Sequence, residues 1–260
     1  MSRRGLIAKL EYKGTPFLGW QIQKHGPTVQ SVLESALGQI LQCPTPVVSC
    51  SRTDAGVHAK GQVIRFEVDP AVDLPRLFKS INAVTPPEIS LQQLVVAPPG
   101  FHPRFHALGK RYSYQIQQTP YPPALERDVV WWAYAPWNWE RITQASNALL
   151  GTHDFSAFRG GGCSAPDPIK TLYHIDFAFT PLNQGQRVKI WFYGSGFLKY
   201  QIRLMVGALS KVGQGKIPPE SISQALAQGV APFGFKAPAQ GLCLEEILYS
   251  PDPFAPANTP

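Results

Sequence analysis

The sequence predicts an α+β fold, with helices packed on largely antiparallel sheets. Hydrophobic residues form 44% of the 260-residue chain, enough to build a core and too many for a disordered polymer. Segments of strand period and of helix period recur in both halves, without the strict alternation that a parallel βαβ sheet requires. Neither an internal repeat nor a low-complexity tract interrupts them.

Residues 6–12 alternate as a strand, and Gly14-Thr15-Pro16 turns the chain. Thr28 stands as N-cap before Val29, Val32, Leu33, Ala36, Leu37, Ile40 and Leu41, which follow the helical period until Pro44 and Pro46 stop it. Residues 47–50 and 61–68 read as strands on either side of a polar turn, 51–60. A short helix over 75–83 and a strand over 89–97 follow. Pro98-Pro99-Gly100 breaks the composition, and the chain is expected to divide into an N-terminal α+β domain, 1–107, and a C-terminal one, 108–260. In the second, a strand over 110–117 leads into an irregular excursion, 119–139, dense in Pro, Trp and Tyr. A helix over 140–150, strands over 172–180 and 187–194, a long helix over 197–212, a shorter one after Pro219 and a closing strand over 241–249 complete the series. The last ten residues are proline-rich and expected to fray.

The net charge is +7, from 24 Lys and Arg against 17 Asp and Glu. Charged residues are only 16% of the chain, below the roughly 25% of an ordinary soluble domain, so the excess comes from scarce acids and not from a basic tail. The charge is also regional. Residues 1–65 carry eight bases and three acids, and 187–216 carry six bases and no acid. Arg104, Lys110 and Arg111 add a third acid-free segment, and beyond 216 the sign reverses. With Tyr112, Tyr114, Trp191, Tyr193 and Tyr200 interleaved, this pattern fits a surface that follows a phosphate backbone. The four cysteines form no CxxC pair and read as reduced, partly buried thiols. The N-terminus lacks an apolar leader and no stretch is long enough to span a bilayer, so the expectation is a soluble, cytoplasmic protein with no membrane partner.

Chemistry concentrates in Ser51-Arg52-Thr53-Asp54-Ala55-Gly56-Val57-His58-Ala59, the densest polar run between two apolar strands. A carboxylate beside arginine stays ionised at neutral pH, and an ionised Asp54 is a usable nucleophile or base; Thr-Asp-Ala-Gly is equally an ordinary turn sequence. His102 and His106 are separated by Pro103, which argues against a helical metal pair, and no metal site is expected. Gly160-Gly161-Gly162 lacks the lysine of a phosphate loop, no serine sits in a hydrolase elbow, and the zinc deaminase signature is absent.

The run Arg52–Ala59 closely resembles the signature of the tRNA pseudouridine synthase A family. The resemblance continues through residues 11–21, Thr28-Val29-Gln30, 101–105, 110–114, Gly151-Thr152-His153-Asp154-Phe155, Gly196-Phe197-Leu198 to Arg203 with Val206-Gly207, and 237–242. Seven blocks in the right order span nearly the whole chain. Lys199-Tyr200-Gln201-Ile202 departs from a His-Met-Val type run common in relatives.

The resemblance implies two similar α+β halves with the active site in a cleft between them. It implies isomerisation of uridine to pseudouridine at positions 38, 39 and 40 of the tRNA anticodon stem-loop, by a homodimer without metal or cofactor. Asp54 matches the catalytic aspartate, Tyr112 the active-site tyrosine, Arg203 the arginine paired with the aspartate, and Arg52 the arginine that helps turn out the target nucleotide. Arg104, Lys110, Arg111 and Lys199 are the expected RNA contacts. Two other readings remain beside it: a non-catalytic RNA-binding or RNA-chaperone protein using the same basic surface, and a purely structural turn at 51–60 in an unrelated enzyme.

Overall fold

A computed structural model describes residues 3–232 and 234–255. Met1, Ser2 and half of the proline-rich end expected to fray, 256–260, lie outside the described residues. The first elements are β1 (Arg4–Tyr12), α1 (Val29–Leu41), β2 (Val48–Ser49), β3 (His58–Val68), α2 (Leu74–Val84) and β4 (Ile89–Val96). Then come β5 (Gly109–Gln118), β6 (Trp131–Ala133), α3 (Trp139–Ser146), β7 (Gly151–Asp154), β8 (Ile169–Leu182) and β9 (Gly185–Gly194). The series closes with α4 (Gln201–Gly213), α5 (Ser221–Gln228) and β10 (Leu242–Leu248). The fold is mixed α+β with mostly antiparallel pairing, as the element pattern predicts. Contacts divide it into two compact units, 1–110 with 243–260, and 111–242.

In the first unit the strand order is β4-β1-β3-β10, with β2 on β3. Strand β1 is antiparallel to both neighbours, and β10 joins β3 in parallel through Cys243 opposite His58. The unbroken apolar run Leu6-Ile7-Ala8 has no exposure at all, as expected of a strand flanked on both edges and covered on both faces. Helix α1 begins where the sequence places it: Thr28 accepts from the Ser31 N–H, and Ser31 returns a hydroxyl to the Thr28 N–H in a capping box. Its buried stripe is Val29, Leu33, Ala36 and Leu37. Helix α2 starts at Asp73, whose carboxylate caps Arg76, with Pro75 in the first turn.

In the second unit the order is β5-β9-β8-β7, with β6 parallel to β5. Strands β8 and β9 form a hairpin closed at Leu182 and Gly185, and alternate residues of β9 (Val188, Ile190, Phe192) enter the core. Helix α4 is buried almost all round, which makes it the core helix of this unit. It begins at Gln201, four residues later than the periodicity predicts, because Tyr200 adopts a left-handed backbone with φ 65°. Strand β7 carries no apolar alternation and was not expected; pairing with β8 alone defines it. The four cysteines are thiols, Cys50 and Cys243 buried, Cys43 and Cys163 half-buried. No helix among the described residues is long and apolar enough to cross a membrane.

Two helical glycines test how packing decides the sign of a substitution. A Cβ at Gly207 in α4 would lie 2.0 Å from the Phe235 carbonyl oxygen, whereas at Gly38 in α1 its nearest neighbour is Cys43 O at 3.7 Å. Alanine gains about 1 kcal/mol of helix propensity over glycine, and overpacking against backbone costs about 1–3 kcal/mol. Urea unfolding should therefore show Gly207→Ala less stable than wild type and Gly38→Ala more stable.

Candidate active site

The polar turn that carries Asp54 is held by the first unit's own backbone. Ser51 and Thr53 are buried, at 4% and 7% exposure, while Arg52 is exposed and Asp54 half-buried. The main chain of the turn and the Thr53 side chain are tied down by hydrogen bonds. Gln62, with no exposure, accepts from the Ser51 N–H at 3.1 Å and donates to the Ser51 carbonyl at 2.7 Å. The Tyr12 hydroxyl and Thr53 Oγ1 share a buried hydrogen bond of 2.7 Å. The Trp20 N–H donates to the Thr53 carbonyl at 3.0 Å, and the Val57 N–H closes the turn on the Asp54 carbonyl at 3.1 Å.

Two glycines permit this contact. A Cβ at Gly14 would fall 2.0 Å from the Val57 carbonyl oxygen, and at Gly19 2.7 Å from that of Thr53. Gly19 also has φ +93°, a region closed to most side chains. The Gly14 N–H donates to His58 Nδ1 at 3.0 Å, so that nitrogen is unprotonated and the neutral ring carries its proton on Nε2. Lys110 directs its ammonium to the Cys50 carbonyl at 3.3 Å, at the foot of the same turn, and burial pulls its pKa below the usual lysine range. Arg104 lies exposed in the turn that follows Phe101.

In the second unit, Tyr112 on β5 is buried and meets Phe197 edge-on, ring centroids 5.3 Å apart. Arg203, in the first turn of α4, is 8% exposed. Its Nε donates to the Ala237 carbonyl at 2.8 Å, while its own carbonyl accepts from the Ala237 N–H at 2.9 Å. This reciprocal pair fixes both the helix end and the guanidinium plane. Arg111 is exposed with its guanidinium 5.0 Å from the Trp191 ring centroid. Lys199 is exposed and donates to the Gly161 carbonyl at 3.1 Å. Arg52, Asp54, Arg104 and Lys110 thus belong to one unit, and Arg111, Tyr112, Lys199 and Arg203 to the other. Among the described residues, no group of three His, Cys, Asp or Glu side chains is placed to hold a metal ion.

A family model described as tRNA pseudouridine synthase matches residues 145–250. Over most of its length the chain is similar to proteins named tRNA pseudouridine synthase A. That of Geobacter sulfurreducens is 38% identical, covering 92% of this chain and 97% of its own. That of Syntrophotalea carbinolica is 38% identical over 93% and 95%, and that of Myxococcus xanthus 38% over 96% and 93%. The chain belongs to the tRNA pseudouridine synthase A family.

The family model covers the half with Arg203, and the full-length relatives extend over the half with Asp54. Within this synthase chain, Tyr12, Gly14, Gly19 and Gln62 were not singled out from the residues alone. The signal that points to them is the pair of glycines five apart between Tyr12 and Trp20, where a loop must pass against another backbone.

The Tyr12 contact carries two predictions. Tyr12→Phe leaves Thr53 Oγ1 without its buried partner and should cost about 1–3 kcal/mol in urea unfolding. Burial holds the hydroxyls of Tyr12, Tyr114 and Tyr249 well above the ordinary tyrosine range. The unfolded chain releases these protons near pH ~10 while the folded chain retains them, so unfolding free energy must fall as pH rises past ~10. The fall in Tyr12→Phe should be shallower by up to about 1.4 kcal/mol per pH unit, the share of one tyrosine.

Proposed function

We propose that this chain isomerises uridine to pseudouridine at positions 38, 39 and 40 of the tRNA anticodon stem-loop, as a cytoplasmic homodimer that uses neither metal nor cofactor. The observation that carries the reading is the Asp54 turn in a chain of this family. The Thr53 hydroxyl and the Ser51 main chain are tied to buried partners, and the turn offers a half-buried carboxylate two residues after an exposed arginine.

Substrate and product are isomers. The N1–C1′ bond breaks, a C5–C1′ bond forms, the C5 proton leaves and N1 gains one, so no oxidant or reductant is consumed. The target base is paired or stacked and must first be turned out, at a cost of a few kcal/mol. Arg52 suits the vacated stack, since a planar guanidinium stacks and hydrogen-bonds at once. Asp54 then acts on the ribose, either by attack at C1′ or by removal of a sugar proton; rates with the ribose deuterated separate the two. A turn held at every second residue keeps that carboxylate where the ribose arrives without reorganisation during the step.

Arg203 supports the reaction as a buried guanidinium held on the Ala237 carbonyl. Tyr112 supports it as an aromatic surface for the uracil, already set edge-on by Phe197. Arg104, Arg111 and Lys199 offer exposed cations to the RNA backbone, and Lys110 steadies the foot of the Asp54 turn.

Release of tritium from tRNA labelled at C5 of uridine measures turnover. Asp54→Ala should fold and bind tRNA yet release no tritium, and continued release would overturn the assignment. The wild-type affinity should fall with salt at a log–log slope near ~0.9 per neutralised phosphate.

A further inference from the structure

We propose that Phe105 is a stacking platform for an unpaired base of the substrate RNA, with Arg104 beside it on a phosphate of the same strand. The inference rests on the reading of the chain as an RNA-modifying enzyme and adds a base contact that no part of that reading assigns.

Phe105 is 76% exposed, the most exposed aromatic side chain among the described residues. Single apolar side chains at a surface are ordinary, and exposure alone asks for nothing. What sets this ring apart is how it is held. One of its faces lies on the His102 imidazole, ring centroids 4.2 Å apart and planes 29° from parallel, and the exposure leaves the other face to solvent. His102 Nδ1 accepts from the Arg104 N–H at 3.2 Å and the Phe105 N–H at 3.4 Å, which ties the imidazole to the main chain of the residues it supports. The His102 N–H donates to His106 Nδ1 at 3.1 Å, and the His106 N–H returns to the His102 carbonyl at 3.2 Å. The turn is also anchored in the first unit. Phe101 is buried, with its ring centroid 5.3 Å from those of both His106 and Tyr249. The Tyr249 hydroxyl donates to the Pro103 carbonyl at 2.8 Å, and the Leu108 N–H to the Leu248 carbonyl at 2.8 Å. A ring carried on such a turn has already lost much of the freedom that binding would otherwise take from it.

The charge around the ring names the partner. Arg104 is exposed beside it. Burial together with the nearby charges of Arg65, His106 and Arg104 holds the His102 pKa below the ordinary histidine value, so the stack stands among cations. Glu67, the acid nearest in this series, is already taken by Arg65 at 3.0 Å, and residues 89–125 contain no Asp or Glu. A π face among cations suits a partner that carries both flat rings and a negative backbone, which is single-stranded nucleic acid. A base inside a stem has both faces covered by its neighbours, so the occupant is an unpaired one. An apolar protein surface is the poorer fit, because closing it over Phe105 would strip water from Arg104 without pairing the charge.

The test uses the full chain with tRNA transcript, reading affinity against KCl concentration together with the KM for pseudouridine formation. Phe105 is exposed, so Phe105→Ala leaves the core intact. Loss of one stacked base should weaken binding about 5- to 100-fold at every KCl concentration and raise KM in step, with the log–log slope unchanged because no charge is removed. Arg104→Ala should instead lower the slope by about 0.7–0.9. Phe105→Trp, which keeps a π face, should hold the wild-type affinity. Phe105→Leu, which keeps only apolar bulk, should weaken binding nearly as far as alanine. The platform is wrong if Phe105→Ala or Phe105→Leu binds as tightly as wild type. It is equally wrong if Phe105→Ala weakens binding only by changing the oligomeric state in sedimentation, which would make the ring a protein contact. In an active wild-type enzyme either result leaves the proposed reaction standing. If the affinities fall as expected but wild type makes no pseudouridine, the platform stands and the reaction is wrong.

Discussion

The close passage of residues 13–20 over the backbone of 53–58 is the constraint on which the first unit's chemistry depends. Gly14 and Gly19 bring main chain against main chain at distances that a single methyl group would forbid. Once that contact is made, the Asp54 turn has no slack. Thr53 is bound to the Tyr12 hydroxyl on one side and the Trp20 N–H on the other, Ser51 is gripped at its main-chain N–H and carbonyl by Gln62, and His58 takes the Gly14 N–H. Each bond is worth only about 0.5–1.5 kcal/mol net, but each buried group left unmade costs about 1–3 kcal/mol, so the set acts together. What this provides is position: a carboxylate on a surface turn that does not move with its surroundings.

The second unit uses the same device on a helix. Helix α4 is buried on nearly every face, Gly207 removes the side chain that would block the 235–238 strap, and Arg203 binds that strap through its side chain and its carbonyl. A buried arginine is expensive unless its donors are met, and the Ala237 carbonyl meets one of them in a fixed plane. The cost of a left-handed tyrosine at the same helix end is borne by this tightly determined frame. In both units, glycines at close approaches convert a loop into a rigid support for a charged group.

Particular elements show how far local sequence reaches. Helix α1 was readable to its cap because Thr28, Ser31 and the apolar stripe all lie within one local window. Strands β1, β4 and β9 were readable because alternation or an apolar run is set by the faces they bury. The start of α4 was not, since Phe197–Tyr200 has helical composition, while Tyr200 takes a left-handed backbone and packs its ring against Gly160, forty residues away. Strand β7 and the grouping of 243–260 with the first unit depend on partners distant in the chain, which no window contains.

The candidate site divides along the same line. The sequence by itself determined the fold class, the family and the residues of the Asp54 turn, because these rest on residue type, period and the order of short motifs. It also showed that acids are scarce where bases gather. Only the tertiary structure decided what holds Asp54, which way Arg203 is fixed, that Lys110 serves the turn, and that Tyr249 anchors the turn of Phe105. Those facts depend on backbone approaches between segments far apart in the chain, and a distance of that kind leaves no period in a sequence, only glycines whose reason becomes visible after folding.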